Sequence, residues 1–491
     1  MAIETELKLS LPTRWAPQVS KHPLLAGLPA QACRLSSTYY DTPDQFLLAH
    51  GVAVRFRRKR GRWLMTVKRD DPAGGALTQR QEWEYPACPG RFDFSLVGCA
   101  KLRRLLQGCS ARLMAIFSTH FLRRSWLVER HGARIELALD RGHVDANGRR
   151  LPLCEVELEL LSGEPAALFA LALELQAELP LRPALASKAE RGYRLSHGVP
   201  AQPCKARSSG LQADMTPLAA FRHLALDCLW QLQRNENAGR WREDPEFTHQ
   251  ARVALRRLRS LLRLFAPVLP QGFAEEYGKA WKVYSDVLGA ARNWDVLLAE
   301  TLPPVSESLP GDRGLVHCGR NALAQAGKAH RQVENVFASE GYARLVLVFV
   351  ARLFALEEQE SAPSLGDFFI GRVGKLERRA RLQARFAEAP SAADWHRLRI
   401  ALKKLRYALE FMAPLLARKR FKGYQAALLP LLEGLGRLND LDTAARLVHD
   451  HMGERHGRFL LGWLAGQSAM LQLSRLPPDL ENWLARKPPW K

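Results

Sequence analysis

The N-terminal stretch Ala2-Ile3-Glu4-Thr5-Glu6-Leu7-Lys8-Leu9 decides the fold of the first part of the chain. From Glu4 to Lys8 its charged residues fall on every second position, and Ile3, Leu7 and Leu9 lie on the alternate positions. Because the side chains of a β-strand alternate between two faces, this spacing predicts a strand with one charged face and one apolar face. Residues 151–160 repeat the design, with three glutamates at alternate positions.

Similar runs recur between turn signals along the first 200 residues. They predict strands at 2–9, 52–59, 63–69, 79–85, 122–129, 134–140 and 151–160, and helices at 97–108 and 164–178. For any single strand, the charged row can also be the solvated outside of a sandwich. The rows are nearly pure carboxylate or nearly pure Arg and Lys, however, and together they suit a hydrated lumen that holds a metal-chelated polyanion. We therefore predict an antiparallel β-barrel over 1–200.

These charged positions also carry a family resemblance. Glu4-Thr-Glu6-Leu-Lys8 resembles the ExExK signature of the CYTH superfamily, the triphosphate tunnel metalloenzymes. The later motifs follow in the family's order: Arg55-Phe-Arg57, Thr66-Val-Lys68, Glu82-Trp-Glu84, Arg123, Asp140, Glu155-Val-Glu157 and Ser187-Lys188. The resemblance covers about 1–200. It implies an eight-stranded antiparallel tunnel that hydrolyses or cyclises triphosphates.

The resemblance also implies a set of site residues, with Mg²⁺ or Mn²⁺ as the cofactor. The expected triphosphate ligands are Lys8, Arg55, Arg57, Lys68, Arg123 and Lys188. The expected metal ligands are Glu4, Glu6, Asp140, Glu155 and Glu157, and the expected catalytic residues are Glu4, Glu6, Lys8, Glu155 and Glu157. Glu82 and Glu84 are expected to assist in the lumen. Arg123 is preferred to Arg124 for its spacing to Trp126, and the choice between the two stays open.

The rest of the chain has a different organisation. Residues 201–214 predict a linker, and from 215 to 480 the apolar residues follow helical spacing, which predicts an all-α domain. His249-Gln-Ala-Arg252-Val-Ala-Leu-Arg256-Arg257-Leu-Arg259 matches the stretch from His396 to Arg406 at an offset of 147 residues. The offset predicts a duplication, with repeats at about 215–340 and 365–480 that each form a helical bundle.

Each repeat carries one basic stripe at helical spacing. The stripes consist of His249, Arg252, Arg256 and Arg259 in the first repeat and His396, Arg399, Lys403 and Arg406 in the second. A surface helix stabilised by ion pairs would interleave Glu residues, and the segment 249–263 has none. This half resembles the CHAD domain, which is associated with polyphosphate binding. The resemblance implies that the two stripes line one basic groove, with Arg378, Arg379 and Arg381 as a further basic cluster.

The charge of the whole chain points to an anionic partner. The net charge is +22 over 491 residues, and both the first 200 residues and the remainder are basic. The sequence carries no RNA-binding, zinc-finger or helix-turn-helix signature, so nucleic acid is not an expected partner. Scattered cysteines, an N-terminus without a signal-peptide pattern and the lack of a long apolar run predict a cytoplasmic protein without a membrane span, with association with polyphosphate granules as a further expectation.

The leading hypothesis for function is an inorganic triphosphatase that cleaves triphosphate to pyrophosphate and phosphate, with a second domain that binds polyphosphate. The same tunnel can serve thiamine triphosphate, a nucleoside triphosphate or adenylate cyclisation, because all of these present a triphosphate. A non-catalytic protein that binds to polyphosphate granules is the alternative from another class. The completeness of the charged motif set favours an enzyme.

Overall fold

The computed structural model describes residues 2–70, 77–198, 201–236, 241, 243–358, 363–386, 390–452 and 454–490. For residues 2–4, 70, 77–80 and 454–456 it describes the backbone alone. Contacts divide the chain into two compact units. The first comprises Met1–Gln202 and Ala338–Ala355, and the second comprises Pro203–Phe337 and Leu356–Lys491.

The described strands of the first unit form one closed antiparallel sheet. They are β1 (Ala2–Ser10), β2 (Gln31–Asp41), β3 (Val52–Lys59), β4 (Arg62–Asp70), β5 (Leu77–Pro86), β6 (Met114–Arg130), β7 (Ala133–Ala146), β8 (Arg149–Ser162) and β9 (Arg182–Pro183). The order is β5-β4-β3-β2-β6-β7-β8-β1, and β1 also pairs with β5, which closes an eight-stranded barrel. The short β9 pairs with β1. The predicted barrel is thereby confirmed.

Three tight turns set the register of the barrel hairpins. Arg60-Gly61, His131-Gly132 and Asn147-Gly148 each place two consecutive residues at positive φ. This backbone matches the twist of the flanking strands, and glycine adopts it without a steric penalty. Each turn ends in a glycine, at Gly61, Gly132 and Gly148, between two strands of the barrel.

The described α-helices occur in both units. They are α1 (Ala16–Val19), α2 (Phe46–Ala49), α3 (Ala100–Cys109), α4 (Ala166–Gln176), α5 (Lys188–His197), α6 (Pro217–Glu236), α7 (Pro245–Phe265), α8 (Phe273–Val296), α9 (Leu302–Ser308), α10 (Arg313–Phe337), α11 (Glu340–Phe354), α12 (Leu365–Gln383), α13 (Ala392–Met412), α14 (Arg418–Met452), α15 (Glu454–Met470) and α16 (Leu476–Leu484). Helices α1–α5 and α11 belong to the first unit, and the others to the second. None of the described helices is long and apolar enough to cross a membrane.

The apolar core of the first unit lies outside the barrel wall. Val54, Phe56 and Met65 of β3 and β4 pack in one buried cluster with Leu102 and Leu106 of α3. Helix α4 contacts β1 and β8, and most of its apolar residues are buried. Since the apolar faces of these strands pack outward against helices, the alternate charged faces point into the lumen, where Glu6, Arg55 and Glu157 line the cavity. This arrangement explains why the charged rows of the sequence are not a solvated surface.

The helix bounds of the second unit follow the 147-residue offset on which the predicted duplication rests. Helix α7 has the same length as α13, and both their first and last residues lie 147 positions apart. The last residues of α6 and α12 are also 147 positions apart, at Glu236 and Gln383. One offset therefore relates two consecutive helices of one half to two consecutive helices of the other.

Candidate functional site

The lumen of the barrel contains a cavity of about 700 Å³. Its charged lining comes from seven strands and from α5: Glu6, Lys8, Arg55, Arg57, Lys59, Lys68, Glu82, Glu84, Arg123, Glu136, Glu157, Glu159 and Lys188. Charge in this cavity is separated by strand. In the closed order, β3 and β4 lie across the barrel from β8 and β7. We call Arg55, Arg57, Lys59 and Lys68 the basic wall, and Glu6, Glu136, Glu157 and Glu159 of β1, β7 and β8 the acidic wall.

The basic wall is held in place by neutral and acidic neighbours. Arg55 donates a hydrogen bond to the hydroxyl of Tyr39 at 3.1 Å, and Arg57 donates one to Ser37 at 3.2 Å. The Lys68 ammonium lies 2.8 Å from a carboxylate oxygen of Glu82. Among the described residues, no carboxylate lies within ion-pair distance of Arg57. Its positive charge is therefore available to an anion in the lumen.

Electrostatics within the wall support this interpretation. Burial, together with the neighbouring cations Arg55 and Arg123, lowers the pKa of Arg57 to about 10. Burial also acts to raise the pKa of Tyr39, but Arg55 and Arg57 outweigh it and lower that pKa. Neighbouring cations add to the effect of burial on the pKa of Arg57 and reverse it for Tyr39, so positive charge is concentrated on this side of the lumen. An entering polyanion would relieve that repulsion.

Lys188 lies at the centre of three buried carboxylates next to the acidic wall. Its ammonium is 2.6 Å from Asp140, 2.5 Å from Glu155 and 2.9 Å from Glu157. Arg123 forms a bidentate pair with Asp140 at 2.7 Å and a further bond to Glu157. Asp140 and Glu155 are fully buried behind these cations, whereas Glu157 also lines the lumen.

These contacts set the protonation states of the group. Burial alone would raise the pKa of Glu157, but Lys188, Arg123 and Lys8 hold it well below its usual range. Burial would lower the pKa of Lys188, but Asp140 and the two glutamates raise it instead. The carboxylate of Glu157 is therefore ionised and the ammonium of Lys188 is charged at neutral pH.

The carboxylates in this region suit a divalent cation. One oxygen from each of Asp140, Glu155 and Glu157 lies within 4.8 Å of the others. Hard cations such as Mg²⁺ take carboxylate oxygens as ligands, so the type of donor fits. Glu6 extends the set on the lumen side, where the Lys8 ammonium lies 2.5 Å from Glu6 and 3.8 Å from Glu157.

Helix α5 positions Lys188. Ser187 caps the helix by accepting a hydrogen bond from the backbone of Glu190, so Lys188 occupies the first turn. One turn later, the buried Tyr193 donates a hydrogen bond to the buried carboxylate of Asp41 at 2.8 Å. Tyr193 also packs edge-on against Phe117 of β6, with 5.2 Å between ring centroids. These two contacts of Tyr193 fix α5 to the barrel wall.

The structure places most of the predicted tunnel residues in one lumen. Lys8, Glu6, Arg55, Arg57, Lys68, Arg123, Glu157 and Lys188 line the cavity, as do Glu82 and Glu84. Glu4 lies in β1 opposite Arg80, but the side chains of both residues lie outside the described part of the structure. Arg124 faces away from the lumen and its guanidinium lies 3.4 Å from the hydroxyl of Ser20.

Sequence reasoning missed two residues of the lumen and one residue beside the buried carboxylates. Tyr39 and Lys59 line the cavity, and Arg191 lies 2.8 Å from Glu155. The signal for Arg191 was its spacing of three from Lys188, which places both on one helical face. Lys59 ends the alternation that begins at Arg55. Tyr39 lies on a strand that carries no charged row.

The second unit contains a basic groove of about 520 Å³ between α7 and α13. Its cationic and imidazole lining consists of Lys205, Arg207, His249, Arg256, Arg257, Lys403 and Arg406. Glu410 is the acidic lining residue, and it forms an ion pair with Arg406 at 2.7 Å. We call this cavity the basic groove.

Cations crowd one another beside this groove. Burial and the neighbouring Arg256 lower the pKa of Arg252 and of Arg399 to about 10 each. Burial lowers the pKa of Lys403 to about 6, with Arg256, Arg399 and Arg252 adding to the effect. Asp440 and Tyr407 oppose these shifts without cancelling them. Such crowding without enough counter-charge is typical of a site that receives an anion.

The predicted stripes are brought together only in part. His249, Arg256, Lys403 and Arg406 line the basic groove, and Arg252 and Arg399 act on its charges from close by. Arg259 is half-buried next to Arg256, and His396 is exposed and does not line this groove. Lys205, Arg207 and Arg257 were missed because two of them lie in the predicted linker and one lies on the buried side of α7.

The further cluster of Arg378, Arg379 and Arg381 does not join the basic groove. Arg381 donates hydrogen bonds to the backbone carbonyls of Leu484 and Arg486, so it fixes the C-terminal segment. Arg379 lines a different cavity of the second unit.

Comparisons with known proteins agree with this geometry. Residues 2–193 match the family model of the CYTH domain, and residues 223–449 match that of the CHAD domain. An inorganic triphosphatase from Haemophilus influenzae is 34% identical over 199 residues, which are 40% of this chain and 55% of that protein. The chain thus spans about half the length of this curated relative.

Two solved structures are similar to the separate parts. The CHAD domain from the plant Ricinus communis has a TM-score of 0.52 and 32% identity, covering 59% of this chain and 98% of that one. The PH1819 protein from Pyrococcus horikoshii has a TM-score of 0.26 and 18% identity, covering 39% and 99%. The resemblance predicted from the charged motifs is confirmed: the chain belongs to the proteins in which a CYTH domain is followed by a CHAD domain.

Proposed function

We propose that the barrel lumen hydrolyses inorganic triphosphate to pyrophosphate and phosphate with Mg²⁺ or Mn²⁺ as the cofactor. The observation that carries the proposal is the separation of charge in one cavity, where a basic wall faces an acidic wall. A metal-chelated triphosphate needs both surfaces at once, since its oxygens require cations and its metal requires carboxylates. The 34% sequence identity to an inorganic triphosphatase over 199 residues supports inorganic triphosphate as the substrate.

The chain's own residues act mainly by neutralising and orienting the triphosphate. The basic wall, with Arg123 and Lys188, would bind the phosphate oxygens and reduce the repulsion that an attacking water meets. Attack of water on the terminal phosphorus breaks its bond to the bridging oxygen and releases pyrophosphate and phosphate. When bound, the divalent metal neutralises further charge and lowers the pKa of a ligated water. No covalent enzyme intermediate is required.

The contacts of the carboxylates support two different roles among the predicted metal ligands: binding the metal and positioning Lys188. Glu6 and Glu157 border the lumen, so we propose them, with Glu4, as the residues that hold the metal. Asp140 and Glu155 are fully buried behind Lys188, so we propose that they position this lysine and, through Asp140, Arg123. Direct metal binding by Asp140 and Glu155 stays a prediction.

The same lumen can accept a triphosphate that carries an organic group, so the substrate needs a direct test. We would measure kcat/KM side by side on inorganic triphosphate, ATP and thiamine triphosphate, each with Mg²⁺ and with Mn²⁺. The proposal expects the highest value for inorganic triphosphate. A clear preference for ATP or thiamine triphosphate would replace it with an organic triphosphatase, and release of cyclic AMP from ATP would replace it with an adenylate cyclase.

We further propose that the basic groove of the second unit binds inorganic polyphosphate. Burial, together with neighbouring cations, depresses the pKa values of Lys403 in the groove and of Arg252 beside it, and a phosphate chain would supply counter-charge there. The proposal includes association with polyphosphate granules in the cytoplasm. If the lumen proved inactive on every triphosphate, this groove alone would support a non-catalytic granule protein.

Nucleic acid also carries one charge per phosphate, so salt dependence cannot separate it from polyphosphate. Competition on the full chain can. Labelled polyphosphate would be displaced by unlabelled polyphosphate or by single-stranded DNA at equal phosphate concentration. The proposal expects polyphosphate to displace the label much more effectively, and equal displacement by DNA would contradict it. Lys403→Glu should weaken polyphosphate binding, whereas the exposed Lys419→Glu should not.

A further inference from the structure

The duplication of the second unit creates two matching grooves beside α7 and α13. The basic groove is lined by Gln250, Val253, Arg257, Tyr407 and Glu410, among others. A second groove of about 340 Å³ is lined at the positions that lie 147 residues away: Arg397, Ile400, Lys404, Ser260 and Arg263. We call this cavity the second groove. The repeat therefore relates the two cavities position by position.

In the first half, an extended segment covers the face of α6. Cys204 exchanges two backbone hydrogen bonds of 2.9 Å with the side chain of Asn235. The guanidinium of Arg207 stacks on the ring of Trp230, 3.2 Å from its centroid. Ser209 accepts a hydrogen bond from His223 at 2.8 Å and donates one to the carbonyl of Phe411 at 2.9 Å. Residues Lys205–Ser209, not α6, consequently line the basic groove.

In the second half, the matching face of α12 is uncovered among the residues that the structure describes. Arg372, Leu376, Arg379 and Gln383 of α12 line the second groove directly. The segment that matches Lys205–Ser209 by the 147-residue offset is 352–356, which begins within α11 and mostly belongs to the first unit. Both repeats therefore have a groove at matching positions. In the second half, however, the residues that would cover α12 mostly belong to the first unit.

The two grooves differ in charge at their matching positions. Glu410 of the basic groove corresponds to Arg263 of the second groove, and Gln250 corresponds to Arg397. Asp227, which attracts Arg207 of the covering segment, corresponds to Gly374. The basic groove thus pairs a basic segment with carboxylates, and the matching positions have Arg263 and Gly374 instead.

The lining of the second groove is both cationic and apolar. Its cations are Arg263, Arg372, Arg379, Arg397 and Lys404, and none of its lining residues is Asp or Glu. Its apolar lining consists of Leu264, Leu376, Ile400, Ala401 and Ala408. Arg372 donates hydrogen bonds to the backbone carbonyls of Leu264 and Arg263 at 3.0 and 3.1 Å. Among the described residues, no carboxylate lies within ion-pair distance of Arg263, Arg379 or Lys404.

We propose that the second groove binds an extended acidic peptide segment of a partner protein, with aliphatic side chains between its carboxylates. The cations require a negatively charged occupant. The leucine, isoleucine and alanine floor gains from aliphatic side chains and offers nothing to a bare phosphate chain. In the basic groove, a segment of the opposite charge packs on the matching helix α6, which shows that this architecture accommodates a peptide segment at that face.

The test uses the full chain and a fluorescein-labelled peptide of alternating Glu and Leu, followed by fluorescence anisotropy. The proposal expects saturable binding to the native chain and no binding of a matched Gln-Leu peptide. In Arg379→Glu/Lys404→Glu, binding should weaken at least about tenfold, as expected for loss of two attractive charges. The control Arg418→Glu/Lys419→Glu reverses two exposed charges on α14 and should leave the affinity unchanged.

A charge swap keeps the test independent of loss of fold. A peptide of alternating Lys and Leu should bind to Arg379→Glu/Lys404→Glu better than to the native chain. No binding of the Glu-Leu peptide at about 1 mM, or equal binding to the native chain and this variant, would overturn the proposal. So would a loss of peptide binding in Lys403→Glu with none in the groove variant, because the peptide would then occupy the basic groove.

Discussion

At the scale of single residues, Arg57 offers a direct test of the triphosphate grip. Its described partner is the Ser37 hydroxyl, and burial next to Arg55 and Arg123 lowers its pKa to about 10. Because the free protein holds this charge against repulsion, a bound triphosphate gains from it. We expect Arg57→Gln to raise KM for triphosphate at least about tenfold, as for loss of a charge-assisted contact to phosphate.

Arg58 provides the matched control, since it is the next residue of β3 and its exposed side chain points to the outer face. Arg58→Gln should leave KM unchanged. Thermal unfolding of both variants checks the fold, and we expect no loss of stability in Arg57→Gln because repulsion within the wall is removed. Equal KM values for Arg57→Gln and the native chain would contradict a role of Arg57 in binding triphosphate.

Lys403 predicts a pH dependence of polyphosphate binding. Burial and three arginines lower the pKa of Lys403 to about 6, so the side chain is mostly neutral in the free protein at pH 7 to 8. A bound phosphate chain favours the charged form and raises this pKa. Binding therefore takes up a proton, and the affinity should fall as the pH rises above about 6, by at most tenfold per unit.

Isothermal titration calorimetry in two buffers of different ionisation enthalpy measures this proton uptake. His249 lines the same groove and also titrates, so the comparison is with Lys403→Met, which removes one titrating group and keeps the apolar stem. The variant should take up fewer protons and show a flatter dependence of affinity on pH. The same proton uptake in both proteins would contradict the assignment of the effect to Lys403.

At the scale of elements, helix α5 must keep its position for Lys188 to meet its three carboxylates. A Cβ added at Gly192 would lie 2.1 Å from the ring of Phe117, which is itself stacked on Tyr39 at 4.5 Å. Neither ring can yield easily, so α5 must move. We expect Gly192→Ala to lower kcat/KM at least tenfold, since a displacement of about 1 Å at a positioning group has effects of this size.

Gly108 of α3 is the matched control, because no atom lies within 4 Å of a Cβ added there. Gly108→Ala should retain native kcat/KM and remain as stable as the native chain. If Gly192→Ala kept native kcat/KM as well, the position of α5 would not limit catalysis.

The strands show what the sequence can and cannot predict. Strands β1 and β8 were predicted because every second residue of the motif region is charged, so the period is visible. Strand β2 was missed because its lumen face mixes the apolar Leu35 with the polar Ser37 and Tyr39, so no alternation of polarity is visible along the strand. Because β2 was not predicted, Tyr39, the hydrogen-bond partner of Arg55, was not predicted as a lumen residue either.

The basic stripes show a second limit of sequence reasoning. His249 and His396 occupy equivalent positions of the repeat, yet His249 lines the basic groove and His396 is exposed. A repeat fixes spacing along a helix, but what covers each helix depends on segments outside the repeat. The covering segment Lys205–Ser209 precedes α6, and the matching residues are used differently before α12.

At the scale of the whole molecule, chain order does not determine which unit a helix packs in. Helix α11 lies between two helices of the second unit in sequence, yet its Phe354 stacks on Phe169 of α4, with 5.5 Å between ring centroids. Arg182 also donates a hydrogen bond to the carbonyl of Ala338 at 2.6 Å. The sequence of an apolar helix face does not show which element it packs against. The assignment of α11 to the first unit therefore required the structure.

The measurement that tests the central claim most directly is phosphate release from inorganic triphosphate by the full chain and by Glu157→Gln. Glu157 is the carboxylate shared by the lumen and the buried cluster, and it is ionised beside three cations. We predict metal-dependent hydrolysis by the native chain and a loss of about a thousandfold in Glu157→Gln, with polyphosphate binding retained as a check on the second unit. The control Glu129→Gln changes an exposed glutamate of β6 and should keep native activity. Turnover by Glu157→Gln within about twofold of the native rate would contradict the account, because the lumen would then hydrolyse triphosphate without its central carboxylate.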